Sequence, residues 1–363
     1  MQEPVRNTRY ADESTEDVPA NPVSAQPRGA IPMPGREPPA GRPGPSRNGI
    51  KIALFGPASA GKTTFLQGLL TGQPNRERHG EWTATRVGGD GAGETLDSDL
   101  RRHAMRGEFP AASTRRAAET WRIQGRYPQA PPPPRRRLLS GTPLPAPRRE
   151  ESFDLTIVDR PGSHSLRPAE EMLREINDAD GLLLMIDPTL MLQPLPVVGD
   201  KELDSTMAYL FRMLPDLASH RVNDGGSPRL TQHLAVCVSK FDDPAVYARA
   251  KELGVVDREP TGPPFVPSGD GARRFFTDLC DRSAGPGDFQ IPNLLTRFDE
   301  NRVDYHVVSA VGFYIEPGHD FDEGTFLNVI QRNGKPHIKR QMPLNVWEIV
   351  IGLYESIMRE RRR

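Results

Sequence analysis

Cysteine is nearly absent: Cys237 and Cys280 are the 2 in 363 residues, which excludes a disulfide framework or a thiolate metal site. Aromatic residues make up only 7%, and residues 1–48 have almost none. That stretch lacks the apolar surface to offset its ordering entropy. Net charge is lacking too, since Lys and Arg number 47 against 48 Asp and Glu, leaving −1. The chain therefore gives no global electrostatic reason to expect nucleic acid as a partner. No apolar run reaches the roughly 18 residues of a membrane-spanning helix. The N-terminus also has no apolar signal-peptide core. The expectation is a cytoplasmic protein with no membrane span.

Proline and glycine are plentiful, at 38 and 33, and the prolines are unevenly placed. Residues 1–48 read as a disordered Pro/Arg-rich tail, and 127–150 as a Pro/Arg-rich disordered insertion containing Pro131–Pro134 and Arg135–Arg137. Such runs favour polyproline II or disorder and read as solvated linkers. What remains, 49–363, is expected to form one domain interrupted by that insertion. The short basic runs Arg135–Arg137 and Arg361–Arg363 read as solvated charge.

The most informative stretch is Ile50-Lys51-Ile52-Ala53-Leu54-Phe55-Gly56-Pro57-Ala58-Ser59-Ala60-Gly61-Lys62-Thr63-Thr64. Its first half alternates apolar residues at strand spacing, and its second half fits G-x-x-x-x-G-K-[ST] through Gly56, Gly61, Lys62 and Thr63. Glycines let the backbone wrap a phosphate closely, and the helix that follows adds positive potential at its N-terminus. Lys62 is the expected contact to the β/γ-phosphates, and Thr63 an expected Mg²⁺ ligand. Ser59, Ala60 and Thr64 complete the expected cradle. The apolar helix Phe65–Leu70 supplies the strand, loop and helix context that the motif requires.

Further along, helical patterns occur at Leu96–Met105, ending at Gly107, and around Ala169–Ile176, Lys201–His220, Arg273–Arg282, Asn293–Asn301 and Asn345–Arg359. They alternate with short apolar runs at Gly181–Ile186, His233–Val238 and Tyr305–Val308. Two further strands, near Glu119–Ile123 and Ser152–Asp159, flank the insertion and are expected to form a hairpin with an oversized loop. The alternation implies an α/β fold with a doubly wound, mostly parallel sheet and helices on both faces. The last helix carries an apolar stripe through Trp347, Ile349, Val350, Leu353, Tyr354 and Met358, which reads as core.

In such a sheet ligands sit beyond the C-terminal ends of the strands. Asp159-Arg160-Pro161-Gly162 follows one apolar run as a D-x-x-G, where a carboxylate can hold Mg²⁺ through water and a glycine N–H can contact a γ-phosphate. Ser239-Lys240-Phe241-Asp242 follows another and is close to [NT]-K-x-D. Ser309-Ala310 follows a third. Asp187 ends the Gly181–Ile186 run and reads as a cap or turn residue. His164 reads as an exposed turn histidine, with a catalytic role as the sharper alternative.

Taken together, these residues resemble the P-loop GTPases of the TRAFAC class, which includes the Ras-like and translation-factor GTPases. The long 72–115 stretch looks most like bacterial double-GTPase or conflict-system members. The resemblance implies a G domain that binds GTP and GDP with Mg²⁺ and hydrolyses GTP as a molecular switch. Gly56 to Thr63 would be its phosphate loop, and Thr114 its switch I threonine and Mg²⁺ ligand, with Ser113 as competitor. Asp159 and Gly162 would form switch II, Lys240 and Asp242 the guanine reader, and Ser309-Ala310 the loop behind the base. Lys62, Thr114, Gly162, Ser163 and His164 are then the residues nearest the reaction. The expected partners are the nucleotide and a protein effector or activator, another GTPase-like chain among the candidates.

Two departures bear on this. Ser239 stands where Asn or Thr is usual, which puts in doubt a hydrogen bond from this loop to the phosphate loop. Ser163 stands where Ras-like members carry glutamine, so turnover is expected to be slow. The competing readings are a P-loop ATPase or kinase, which needs neither Lys240 nor Asp242, and a GTP-loaded scaffold that barely hydrolyses.

Overall fold

The structure, a computed structural model, describes residues 49–57, 59–87, 92–110, 119–127, 150–157, 170–192, 206–223, 229–259, 262–282 and 295–363. The described strands build a seven-stranded sheet in the order β2-β3-β4-β1-β5-β6-β9. Its elements are β1 (Lys51–Phe55), β2 (Glu81–Arg86), β3 (Glu119–Arg126), β4 (Glu150–Ile157), β5 (Gly181–Ile186), β6 (His233–Val238) and β9 (Val303–Val307). Strands β4, β1, β5, β6 and β9 run parallel to one another. Strands β2 and β3 are antiparallel at one edge.

The central strands are apolar on both faces because both faces are covered. Side chains alternate along a strand, and here the alternation sorts them into two cores. Ala53 and Phe55 of β1, Leu182 and Leu184 of β5, and Val236 of β6 enter one core. Ile52 and Leu54, Leu183 and Met185, and Ala235 and Cys237 enter the other. The first is covered by α4 (Glu170–Asn177), α6 (Thr206–Asn223), α7 (Pro244–Glu252) and α8 (Asp270–Arg282), with the short α5 (Thr189–Leu192) beside them. The second is covered by α1 (Lys62–Thr71), α3 (Ala92–Met105) and α9 (Val346–Arg361). The sheet is thus doubly wound and mostly parallel, as its alternating pattern implies. Helix α9 buries Trp347, Ile349, Val350, Leu353 and Tyr354, so its stripe is core. A one-turn helix, α2 (Arg76–His79), leads into β2 and is capped by the Asn75 side chain.

The expected hairpin around the insertion is present, with β3 pairing antiparallel to β4 from Glu119↔Ile157 to Arg126↔Glu150. Its ends correct the expected insertion boundaries. Glu150 is the first residue of β4, and the Tyr127 ring packs edge-on to Trp82 at 5.4 Å. Residues 128–149 and 1–48 lie outside the described residues. Of the helical pattern at Asn293–Asn301, Asn293 and Leu294 lie outside the described residues and Leu295 is helical. The helix does not run on to Asn301: Thr296 and Arg297 turn, and Glu300–Arg302 form a separate 3-10 turn that the Asp299 carboxylate caps by accepting from Asn301 N–H.

Between β9 and α9 the chain makes a substructure that its periodicity does not announce. Residues 308–345 contain a hairpin of β10 (Val329–Arg332) and β11 (Lys335–Ile338). Asn333 and Gly334 turn it with φ of 53° and 72°, the left-handed pair that a tight two-residue turn requires. Another short pair, β7 (Asp257–Arg258) with β8 (Pro264–Phe265), lies outside the main sheet. Phe313, Phe321 and Phe326 from the 308–345 segment pack edge-on or tilted against Phe241 and Tyr247, with centroids 5.3–6.0 Å apart. This aromatic cluster binds the segment to the main core.

Candidate functional site

Because β1, β5, β6 and β9 are parallel, their C-terminal ends share one edge of the sheet. Gly56, Asp187, Ser239 and Val308 follow those strands and so arrive together. Gly56 has φ +152°, and a Cβ there would lie 2.4 Å from the Met185 carbonyl oxygen, so only glycine lets the loop leave β1 beside β5. Gly61 caps α1 in the left-handed conformation at φ 91°. Ser59, also in the loop, has φ 64°. Lys62 is 5% exposed, and its ammonium donates to the Gly56 and Pro57 carbonyl oxygens at 2.9 and 2.8 Å. The loop therefore closes around its own lysine, a cation held at the mouth of a helix N-terminus. Thr63 and Thr64, in the first turn of α1, are half-buried.

Lys240 follows β6 with φ 54°, a left-handed conformation that is uncommon for a residue with a side chain. Its ammonium lies 2.5 Å from the Asp187 carboxylate. Asp187 is 1% exposed and also accepts from the Thr189 N–H and hydroxyl, at 3.0 and 2.6 Å. The expected turn role is present, and a second role comes with it: Asp187 holds Lys240. The Ser239 hydroxyl, whose bond to the phosphate loop was in doubt, donates instead to the Ile186 carbonyl at 2.8 Å. It ties the loop after β6 to the end of β5.

Asp242 is the most telling group. Burial pushes its carboxyl up to about 6, against a lowering contribution from a hydrogen bond donated by the Ser309 hydroxyl. A carboxylate displaced in this direction has lost more hydration than its hydrogen bonds replace. Ser309 in turn accepts from the Val311 and Gly312 N–H groups at 3.2 and 2.6 Å. The Ala310 carbonyl accepts from the Gln341 amide at 2.6 Å. The two loops expected to read a base are thus joined by the Asp242–Ser309 contact.

These groups border a single cleft of about 560 Å³, with Gly61 and Thr64 at one side, Lys240 and Asp242 below, and Ala310 beside them. A volume in this range suits a small-molecule ligand. The cleft passes two fit tests for a nucleotide. It is bordered by a half-buried carboxylate, Asp242, whose charge desolvation disfavours, and it connects to a glycine-rich loop with an inward lysine. The metal half of the expected site is only partly on view. Thr63 is described, whereas Thr114 and Asp159 lie outside the described residues, as do Gly162, Ser163 and His164. Among the described residues no group of His, Cys, Asp and Glu is clustered to hold a metal. No described helix is long and apolar enough to cross a membrane.

Sequence reasoning missed the outer side of this cleft, formed by Leu327, Val329 and Pro336 together with Phe109. The Asn333-Gly334 dipeptide was the available signal for the hairpin.

No family model and no curated protein matches the chain. Among solved structures it is similar to Sup35 complexed with GDP, at 14% identity and a TM-score of 0.27 over 72% of this chain. The match spans 37% of the Sup35 chain. It is also similar to the signal recognition particle receptor SRβ-GTP/SRX complex from Chaetomium thermophilum, at 15% identity and a TM-score of 0.34. That match covers 75% of this chain and 94% of the other. Likeness this distant adds nothing to the geometry of the cleft, on which the functional reading rests.

Proposed function

We propose that this chain is a guanine-nucleotide-binding protein that takes GTP and GDP with Mg²⁺, hydrolyses GTP slowly and acts as a molecular switch. The observation that carries the guanine assignment is Asp242, a half-buried carboxyl that borders the cleft and that desolvation pushes up to about 6 in spite of its hydrogen bond from Ser309. Guanine presents N1–H and a 2-amino group, the paired donors such a carboxylate lacks. Adenine presents a bare N1 acceptor in that place. Lys240, steadied by Asp187, and the 309–312 loop then border the base.

At the other end, Lys62 exchanges the carbonyls of Gly56 and Pro57 for β/γ-phosphate oxygens, and the backbone from Gly56 through Ser59, Ala60 and Gly61 to Thr64 surrounds the phosphates. Thr63, with Asp159 and Thr114, is the proposed Mg²⁺ set. When bound, the ion neutralises charge on the β- and γ-phosphates. Gly162 would contact the γ-phosphate, and Ser163 is too short to orient an attacking water as glutamine does. The readout is a change of order in the segments around Thr114 and Gly162, sensed by a protein effector or activator. The motif set fits a TRAFAC-class G domain in the cytoplasm, with the double-GTPase or conflict-system group as subfamily.

Chromatography of the nucleotide released by denaturing the purified full-length protein tests this reading. Guanine nucleotide is expected. Release of adenine nucleotide alone would replace the reading with a P-loop ATPase or kinase.

A further inference from the structure

The sequence motifs account for the floor of the cleft and leave its outer wall unexplained. That wall is the β10–β11 hairpin. Val329 and Pro336 border the cleft from it, and Leu327, just before β10, joins them. Strand alternation puts Val329 and Ile330 on opposite faces of the hairpin, and Ile330 does not line the cleft. Leu327 is 45% exposed and Ile330 38%, so the two differ in what they face rather than in how far they are buried.

The hairpin is fastened on two sides. Asn328, 1% exposed, donates from Nδ2 to the Val311 and Gly312 carbonyls at 3.1 and 3.0 Å and accepts from Arg340 N–H at 3.0 Å. This anchors the wall to the loop that carries Ser309. On the other side, Ile338 N–H donates to the Gly107 carbonyl at 2.7 Å, and Glu108 forms an antiparallel bridge with His337. Gly107 has φ +69°, and a Cβ there would lie 2.2 Å from the Ile338 carbonyl oxygen. Only glycine permits this approach. The segment after α3 and the hairpin are thus latched across one side of the cleft.

An apolar wall facing a polar edge is a suitable grip for a flat heterocycle, which presents an apolar face and hydrogen-bonding edges. We infer that Leu327, Val329 and Pro336 pack against the nucleotide, and that the Gly107–Ile338 latch sets how long it stays bound. The inference deepens the guanine-nucleotide reading above and rests on it. The wall offers no hydrogen-bond selectivity, so it acts on residence time while Asp242 acts on base choice.

The test is release of tritiated GDP from the full-length protein into excess unlabelled GDP. Leu327→Ser should speed release about tenfold, the scale of losing one apolar side chain's packing. Ile330→Ser, on the outer face of the same hairpin, should leave it unchanged. Gly107→Ala, which forces the latch open, should speed release as well. Wild-type release from Leu327→Ser, or equal acceleration by Ile330→Ser, overturns the wall. Wild-type release from Gly107→Ala overturns the latch. Failure of the unaltered protein to retain any labelled GDP is a separate outcome, which would remove the guanine reading itself and the inference with it.

Discussion

The Ser309 hydroxyl donates to the Asp242 carboxylate while accepting from the N–H groups of Val311 and Gly312 at 3.2 and 2.6 Å. The two N–H donors occupy its lone pairs, so its one proton is committed to the carboxylate. Ser309 thereby orients Asp242 and stabilises its charged form.

Ser309→Ala should therefore cost guanine nucleotide affinity without touching the phosphate loop. A lost hydrogen bond to a charged group is worth about 1.5–3 kcal/mol, which corresponds to roughly a ten- to hundredfold rise in Kd. Calorimetric titration with GDP reads this directly. Unchanged affinity would mean that the Asp242–Ser309 contact is incidental to binding.

The raised carboxyl of Asp242 has consequences of opposite sign for stability and for binding. With its pKa moved from 3.8 to about 6, the nucleotide-free folded state holds a proton across that window which the unfolded chain has released. This group's contribution to stability falls as pH rises through the window and stays low above it. Asp242→Asn should thus stabilise the nucleotide-free protein at pH 7.5 relative to wild type, by on the order of 1–3 kcal/mol. GDP binding to wild type should instead weaken as pH drops below about 6, where the protonated carboxyl loses its charge and turns one of its two acceptor oxygens into a donor. Melting curves of both proteins between about pH 5 and 8, with and without GDP, separate the two effects.

Lys62→Ala and Thr63→Ala should fail differently. The first removes the ammonium that ties the Gly56 and Pro57 carbonyls and would meet the phosphates, so binding should fall with or without Mg²⁺. The second removes a proposed metal ligand, so binding should persist but lose most of its Mg²⁺ dependence. Titrations with Mg²⁺ and with a chelator distinguish them, and wild-type behaviour from both would remove this loop from the site.

Turnover should be slow. With Ser163 in place of a water-orienting glutamine, single-turnover hydrolysis is expected on the order of 10⁻³ s⁻¹ or below, the unassisted regime. Ser163→Ala should change little. A sharp loss in His164→Ala would assign the missing function to that histidine. An unassisted rate of about 1 s⁻¹ would show that the chain carries complete catalytic machinery.

The loop from Gly56 to Thr64 was legible because its motif is contiguous in sequence, with glycines at Gly56 and Gly61 where the backbone takes positive φ. The central strands were legible because burial on both faces leaves uninterrupted apolar runs. The Lys240–Asp187 pair was not legible, since its partners are 53 residues apart and meet only because β5 and β6 are neighbours. Asp187 looked like a turn residue, and its bonds to Thr189 make it one. Helix α7 was overlooked although it begins with the N-terminal signature Asp243-Pro244, in which the aspartate accepts from Ala245 and Val246 N–H. The β10–β11 hairpin was overlooked because its strands are four residues each and only weakly apolar, too short for a period to show. The helical pattern at Asn293–Asn301 runs too far: the chain leaves the helix after Leu295 and turns, with Leu295 and Phe298 both buried, so tertiary packing overrode local propensity beyond that point.

The central claim is that Asp242 makes this cleft a guanine site, and base competition tests it most directly. Labelled GDP bound to the wild-type protein should be displaced by GTP and GDP, with ATP weaker by about 10⁴-fold or more, because adenine would set a bare acceptor against the Asp242 carboxylate. Asp242→Asn should lose guanine preference and accept xanthine nucleotides, whose additional carbonyl matches the new amide donor. Displacement of GDP by ATP at concentrations equal to those of GTP would contradict the account.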